Sequence, residues 1–135
     1  MSGIPDEVRA LLEARNFAHL ATVLPDGSPH SVAIWIGTEG DRVVFFTQDT
    51  SRKARNLARD PRVALSVVDR ENPYRTAWLR GRVGEKRTGE AALPTIDAIS
   101  VRYTGEPFPM RSGTVFLVDV ERSGAMALPF AEPAQ

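Results

Sequence analysis

The run from Thr47 to Asn56 holds the densest set of groups suited to binding an anion. Hydroxyls at Thr47, Thr50 and Ser51 precede Arg52, Lys53 and Arg55. Positions 50–59 read as hydroxyl N-caps followed by strong helix formers, stopped by Asp60-Pro61. At a helix start the unpaired backbone N–H groups and the positive end of the helix dipole attract phosphate-like anions. Arg52 and Lys53 in the first turn oppose that dipole, at a cost of up to about 1 kcal/mol unless an anion sits there. The pattern is a phosphate cradle in outline, closing at Asn56; its alternative is a solvated basic face.

Other residues carry weaker signals. The two histidines, His19 and His30, stand eleven positions apart on neighbouring strand-like segments, and no carboxylate pair completes a metal site around them. A histidine in a strand is usually structural. Arg80 and Arg82 share a strand face with Trp78, where they either meet an anion or pair with acids across the sheet. Trp35, Tyr74, Trp78 and Tyr103 either wall a flat ring or belong to core and interface. There is no Ser-His-Asp signature, Walker loop or GxGxxG motif. The absence of cysteine excludes disulfides, thiolate metal sites and cysteine nucleophiles. With no hydrolytic machinery visible, reactive atoms would belong to a borrowed cofactor that the chain binds and orients.

These groups need elements to position them. Pro5, Asp6 and Glu7 open a short helix with Val8, Leu11 and Leu12 at helical spacing, ending near Asn16. Phe17–Val23 and His30–Ile36 read as strands joined through Pro25-Asp26-Gly27, and Gly37–Asp41 as a second turn cluster before a strand at Arg42–Thr47. After the basic helix come strands at Val63–Val68 and Thr76–Glu85, with a loop at Asp69–Pro73 between them. Thr95 is positioned to cap a helix carrying Ile96, Ile99 and Tyr103, which Gly105 and Pro107 end; a sixth strand covers Thr114–Val120. Six strands with inserted rather than alternating helices predict a mainly β, antiparallel barrel or sandwich.

The 135 residues, with 17 basic and 17 acidic side chains, predict a single domain with its core at about 8–120 and a C-terminal tail at about 123–135, of which Leu128–Gln135 frays or lies on a partner. Zero net charge offers no global field for a polyanion, so no nucleic-acid partner is expected. The longest stretch free of Asp, Glu, Lys and Arg, Gly27–Thr38, has 12 residues, short of the ~20 a membrane helix needs. The N-terminus has acids and an arginine where a signal peptide has its apolar core, so a cytoplasmic location is expected.

The order of residues 17–30 (FAHLATVLPDGSPH), 51–63 (SRKARNLARDPRV), Asn72-Pro73-Tyr74-Arg75 and Leu79–Val83 resembles the split β-barrel flavin/deazaflavin oxidoreductases, the pyridoxamine-phosphate-oxidase-like proteins. It looks most like their actinobacterial branch using the deazaflavin coenzyme F420 (8-hydroxy-5-deazaflavin). The resemblance runs from about Val8 to Val120. It implies a six-stranded split barrel and a homodimer with cofactor at the subunit interface, as well as hydride transfer between reduced deazaflavin and a small enone- or quinone-like acceptor. The alternatives within it are an FMN-dependent oxidoreductase and a non-catalytic F420- or flavin-binding protein.

By position, the resemblance assigns Thr47, Ser51, Arg52 and Lys53 to the cofactor phosphate, and His30, Ser31 and Val32 to the strand beside the ring. It draws Tyr74, Trp78 and Arg80 from the neighbouring subunit. Pyridoxamine phosphate oxidases proper end in a basic segment that grips the substrate phosphate. Here Gly124–Phe130 and a polar tail stand in its place, so vitamin B6 oxidation is not expected.

Overall fold

A computed structural model describes residues 3–130. Helix α1 (Asp6–Glu13) has Asp6 and Glu7 in its first turn, where the dipole favours acids, and buries Val8, Leu11 and Leu12. Strands β1 (Ala18–Val23) and β2 (Pro29–Ile34) form a hairpin whose turn uses Gly27 at φ 89°. Strands β3 (Gly37–Glu39) and β4 (Arg42–Thr47) form a second hairpin around Gly40-Asp41. Helix α2 (Arg52–Arg59), β5 (Arg62–Val68) and β6 (Arg75–Arg87) follow. One turn of 3-10 helix (Gly89–Ala92) leads into α3 (Leu93–Thr104), and β7 (Thr114–Ala127) completes the sheet.

The sheet is antiparallel throughout, in the order β2-β1-β5-β6-β7-β4-β3. Its two edges, β2 and β3, are joined through Trp35 and Ile36 alone. Three Cα steps span at most about 11 Å, whereas seven strands laid flat would put the edges about 29 Å apart. The sheet therefore rolls until its edges approach, giving a barrel with a seam between β2 and β3. Tyr103 of α3 pins that seam: its hydroxyl donates to the Asn16 carbonyl at 2.5 Å and accepts from the Ile36 N–H at 3.2 Å.

Alternation sorts the side chains. Leu20, Phe45, Val67, Leu79 and Phe116 point into the roll, joined by Val8 and Leu12 of α1, and the Phe45 and Phe116 rings stack at 5.2 Å. On the outside, Val44, Val115 and Leu117 are covered by Ile96 and Ile99 of α3. Among the described residues no helix is long and apolar enough to cross a membrane.

Three sequence expectations need correction. There are seven strands rather than six, because Gly37–Glu39 pairs with Val44–Arg42 and leaves only Gly40-Asp41 as turn. Glycine-rich composition concealed that strand. Helix α3 starts at Leu93 rather than being capped by Thr95, since the 3-10 turn feeds it directly and Pro94 sits in its first turn. Strand β7 runs on to Ala127, not Val120, because Ser123–Ala127 pair with Leu79–Arg75 of β6. The expected tail thus begins at Leu128, whose N–H donates to the Tyr74 carbonyl at 3.0 Å. Residues 131–135 of that tail lie outside the described residues.

Candidate functional site

The cradle forms where β4 hands the chain to α2. Ser51 is the N-cap: its Oγ accepts from the Ala54 N–H at 3.1 Å, and the Thr47 hydroxyl donates to the same Oγ at 3.0 Å. The Ser51 hydroxyl hydrogen and a lone pair of Thr47 remain for a ligand. No acid occupies the first turn of α2, and Asp49 is turned aside to accept from the Thr114 hydroxyl. Arg52 is exposed, and among the described residues neither it nor Lys53 has a carboxylate within 4.0 Å.

Lys53, in the first turn of α2, also lines a groove at the seam. This groove has a volume of about 350 Å³ and is lined by Phe17, Ala33, Trp35, Phe46, Phe108 and Lys53. Trp35 stacks on Tyr103 with centroids 5.3 Å apart and planes 6° from parallel, while Phe46 and Phe108 meet each other edge-to-face at 4.9 Å. Phe108 stands at 85° to Trp35. Lys53 is half-buried, and burial holds its amine below the usual lysine pKa. Burial raises the Tyr103 phenol above its ordinary value.

The remaining expected residues are distributed unevenly. On β2, His30 and Val32 turn toward the barrel and Ser31 toward solvent. Being an edge strand, β2 leaves half of its backbone N–H and C=O groups without strand partners, open to a ligand. His30 lies opposite Thr22, and its Nδ1 is buried with no protein partner. Asn56 is not brought into the cradle: it is fully buried, and its Nδ2 donates to Thr22 Oγ1 at 3.0 Å.

Tyr74, Trp78 and Arg80 lie elsewhere on the molecule. Trp78 and Arg80 are exposed on the outer face of β6, with the Arg80 guanidinium 5.2 Å over the indole, and Tyr74 packs against Phe130. Arg82, by contrast, pairs with Glu121 at 3.2 Å. Trp78 shares a lateral row with Ser66, His19 and Ala33, three strands from the groove, about 14 Å at the usual strand spacing.

Phe17, Phe46 and Phe108 were not singled out from sequence. Alternation along Val43-Val44-Phe45-Phe46 is the signal that would have turned Phe46 outward while Phe45 entered the core. Among the described residues no group of three or more His, Asp or Glu is arranged to hold a metal. The site instead suits an organic ligand with an anionic end, for the hydroxyls and free cations, and a flat apolar part, for the aromatic groove.

The comparisons agree in kind. A family model described as pyridoxamine 5'-phosphate oxidase matches residues 4–125. A pyridoxine/pyridoxamine 5'-phosphate oxidase of Methylibium petroleiphilum is 30% identical over 131 residues. That match covers 85% of this chain but only 62% of the relative, so the chain spans less than two thirds of its length. Among solved structures, an F420 reductase superposes with a TM-score of 0.78 at 29% identity, covering 90% of this chain and 98% of its own. A conserved hypothetical protein of Mycobacterium tuberculosis, 24% identical with a TM-score of 0.73 over 96% of this chain and 91% of its own, shares the fold.

Proposed function

Because the chain belongs to the pyridoxamine 5'-phosphate oxidase family, whose members are split-barrel oxidoreductases, we propose that it is an F420-dependent oxidoreductase acting on a small electron-poor acceptor. The observation that carries this reading is the junction at Lys53 of a hydroxyl-capped, acid-free helix start with an aromatic groove. Such a junction fits a ligand with an anionic end and a flat ring, and the likeness to an F420 reductase supports a deazaflavin as that ligand. FMN, with the same two ends, is the alternative cofactor, and binding without turnover the alternative role.

When bound, reduced F420 supplies a hydride for an enone- or quinone-like acceptor. The protein's part is binding and orientation. Ser51 donates its hydroxyl hydrogen to the phosphate, Thr47 fixes the orientation of Ser51, and Arg52 adds exposed charge. Lys53 adds charge from the groove side. Trp35, Phe46 and Phe108 present a rigid apolar wall, and the open edge of β2 at His30, Ser31 and Val32 offers backbone donors and acceptors beside the ring. No side chain is assigned as a proton donor, because solvent reaches the open groove.

We place Tyr74, Trp78 and Arg80 at the equivalent site of a second copy. Exposed Trp78, Met126 and Phe130 give that face apolar surface for a partner to cover.

Fluorescence titration with F420 and, separately, FMN tests the reading. Tighter binding of F420 supports it, and Lys53→Ala should weaken that binding by about 1.5–3 kcal/mol through loss of a charge-assisted contact. Preference for FMN moves the chain to flavin chemistry, and binding of neither sinks the proposal.

A further inference from the structure

Most residues lining the groove stand on β2, β4 or α2, or directly beside a strand, so the sheet and its helix place them. Phe108 is different. It comes from the irregular segment between α3 and β7, which Gly105 (φ 84°) and Gly113 (φ 143°) bound at either end in backbone shapes that glycine favours. From Thr104 to Ser112 every residue except Phe108 is exposed. One ring is thus drawn out of a solvated segment to the groove, where it meets Phe46 edge-to-face at 4.9 Å and stands at 85° to Trp35.

Two side chains outside the groove aim that ring. Pro107 and Pro109 flank Phe108 and carry no N–H, so the tripeptide has a single amide donor, which goes to Asp97 Oδ1 at 3.2 Å. Arg111 closes on the same carboxylate through two bonds, at 2.8 and 2.9 Å, and its Nη1 also donates to the Phe108 carbonyl at 2.8 Å. Both backbone polar groups of Phe108 are therefore held by one ion pair, and among the described residues nothing else bonds them. The Arg111 guanidinium, with a smaller part from the Phe108 N–H, keeps the Asp97 carboxyl below its ordinary pKa, so the acceptor stays charged at neutral pH. Arg111 is 49% and Asp97 29% exposed, and a pair so open to water adds little to global stability. Its geometry, a bidentate clasp on the backbone of one residue, serves position instead.

We propose that Asp97 and Arg111 are positioning residues that set the shape selectivity of the groove through Phe108. This rests on the reading above that the groove takes the flat part of a ligand, and it deepens that reading by naming what decides which molecules enter. With Phe108 upright against Trp35, the space of about 350 Å³ is a corner between two nearly perpendicular rings. A planar aromatic or quinone-like molecule packs along the corner, whereas a globular one of similar size touches neither ring well. Without the pair, the Phe108 backbone loses both of its hydrogen bonds, and the corner opens to rounder molecules.

The test displaces the neutral fluorescent ketone prodan from the full chain with two neutral methyl ketones of equal carbon count, flat 2-acetylnaphthalene and globular 1-acetyladamantane. The wild type is expected to prefer the flat ketone by about tenfold or more. Asp97→Ala and Arg111→Ala should each cut that preference to about threefold or less, and Phe108→Ala should do the same. Adding Asp97→Ala to Phe108→Ala should change nothing further, because the pair acts through that ring. Arg62→Ala, which breaks the exposed pair with Asp60 beyond the end of α2, should leave the preference as it is. A general loss of stability lowers both affinities in step, so the ratio isolates shape. Arg111 lies outside every helix and strand, so its variant reads the pair even where Asp97→Ala disturbs α3. No displaceable prodan, a preference that survives both single variants, or a further loss in the Asp97→Ala/Phe108→Ala double variant overturns the proposal. None of these ketones carries a phosphate or a deazaflavin ring, so this result and the F420 titration stand or fall separately.

Discussion

The side-chain amide of Asn56 donates to Thr22 Oγ1 at 3.0 Å, and both residues are buried, at 0% and 2% exposure. This bond fastens α2, which carries the cradle at its other end, to β1 in the barrel wall. Asn56 Oδ1 is buried without a protein partner, as is Nδ1 of His30, the residue opposite Thr22 on β2.

Removing only one member of the bond should be costly, because the other is left buried and unpaired. Thr22→Val is expected to lower unfolding free energy by about 1–3 kcal/mol. The Thr22→Val/Asn56→Leu double variant should lose less than the sum of the two single changes. Urea unfolding of the four proteins measures the coupling, and strict additivity would show that the two side chains do not interact.

Tyr103 is expected to hold the seam closed from outside the sheet. Tyr103→Phe keeps the stacking on Trp35 but removes the hydroxyl that bridges Asn16 and Ile36, which should cost about 1–3 kcal/mol. Because the Ile36 amide loses its acceptor, its hydrogen exchange should accelerate more than that of Leu20 inside the roll. Uniform acceleration across the sheet would instead mean that the hydroxyl has no local role at the seam.

If a second copy completes each site, two damaged chains should repair one another. Lys53→Ala and Trp78→Ala variants, each impaired in F420 binding, should recover about a quarter of wild-type sites when mixed and allowed to exchange. Half of the dimers are then mixed, and one of their two sites is intact. No recovery in a demonstrably exchanging mixture would confine the site to one chain.

Where α2 ends, Arg62 grips the Asp60 carboxylate through Nε at 3.0 Å and Nη2 at 2.7 Å, holding its pKa down at about 2. The folded value lies below the ordinary 3.8, so the pair's contribution to stability is present above pH 3.8 and is lost as pH falls through about 2. A carboxyl NMR titration should show the midpoint near 2, moving up toward the ordinary value in Arg62→Ala. A midpoint already ordinary in the wild type would dissolve the pair.

Much of this protein is written in short-range chemistry. Ser51 caps α2 because a hydroxyl there accepts from a first-turn N–H, Asp60-Pro61 ends the helix because proline disfavours helical geometry before it, and Arg42–Thr47 is a strand by its β-branched and aromatic run. Each depends on neighbours within a few residues, so the cradle and most of the sheet were legible from the chain. The strand Gly37–Glu39 was not, since its extended shape comes from pairing with β4 and not from its own composition.

Rolling of the sheet decided the rest. It closes a seam with two linking residues and thereby gathers positions 17, 35, 46, 53 and 108 around one groove. The same packing turns Asn56 inward to Thr22 and sets Lys53 beside an apolar wall. One turn of helix separates these two side chains in sequence, and both are polar. Which of them faces an open groove and which locks the scaffold depends on what the barrel places opposite each, a long-range property that the local code of α2 does not contain.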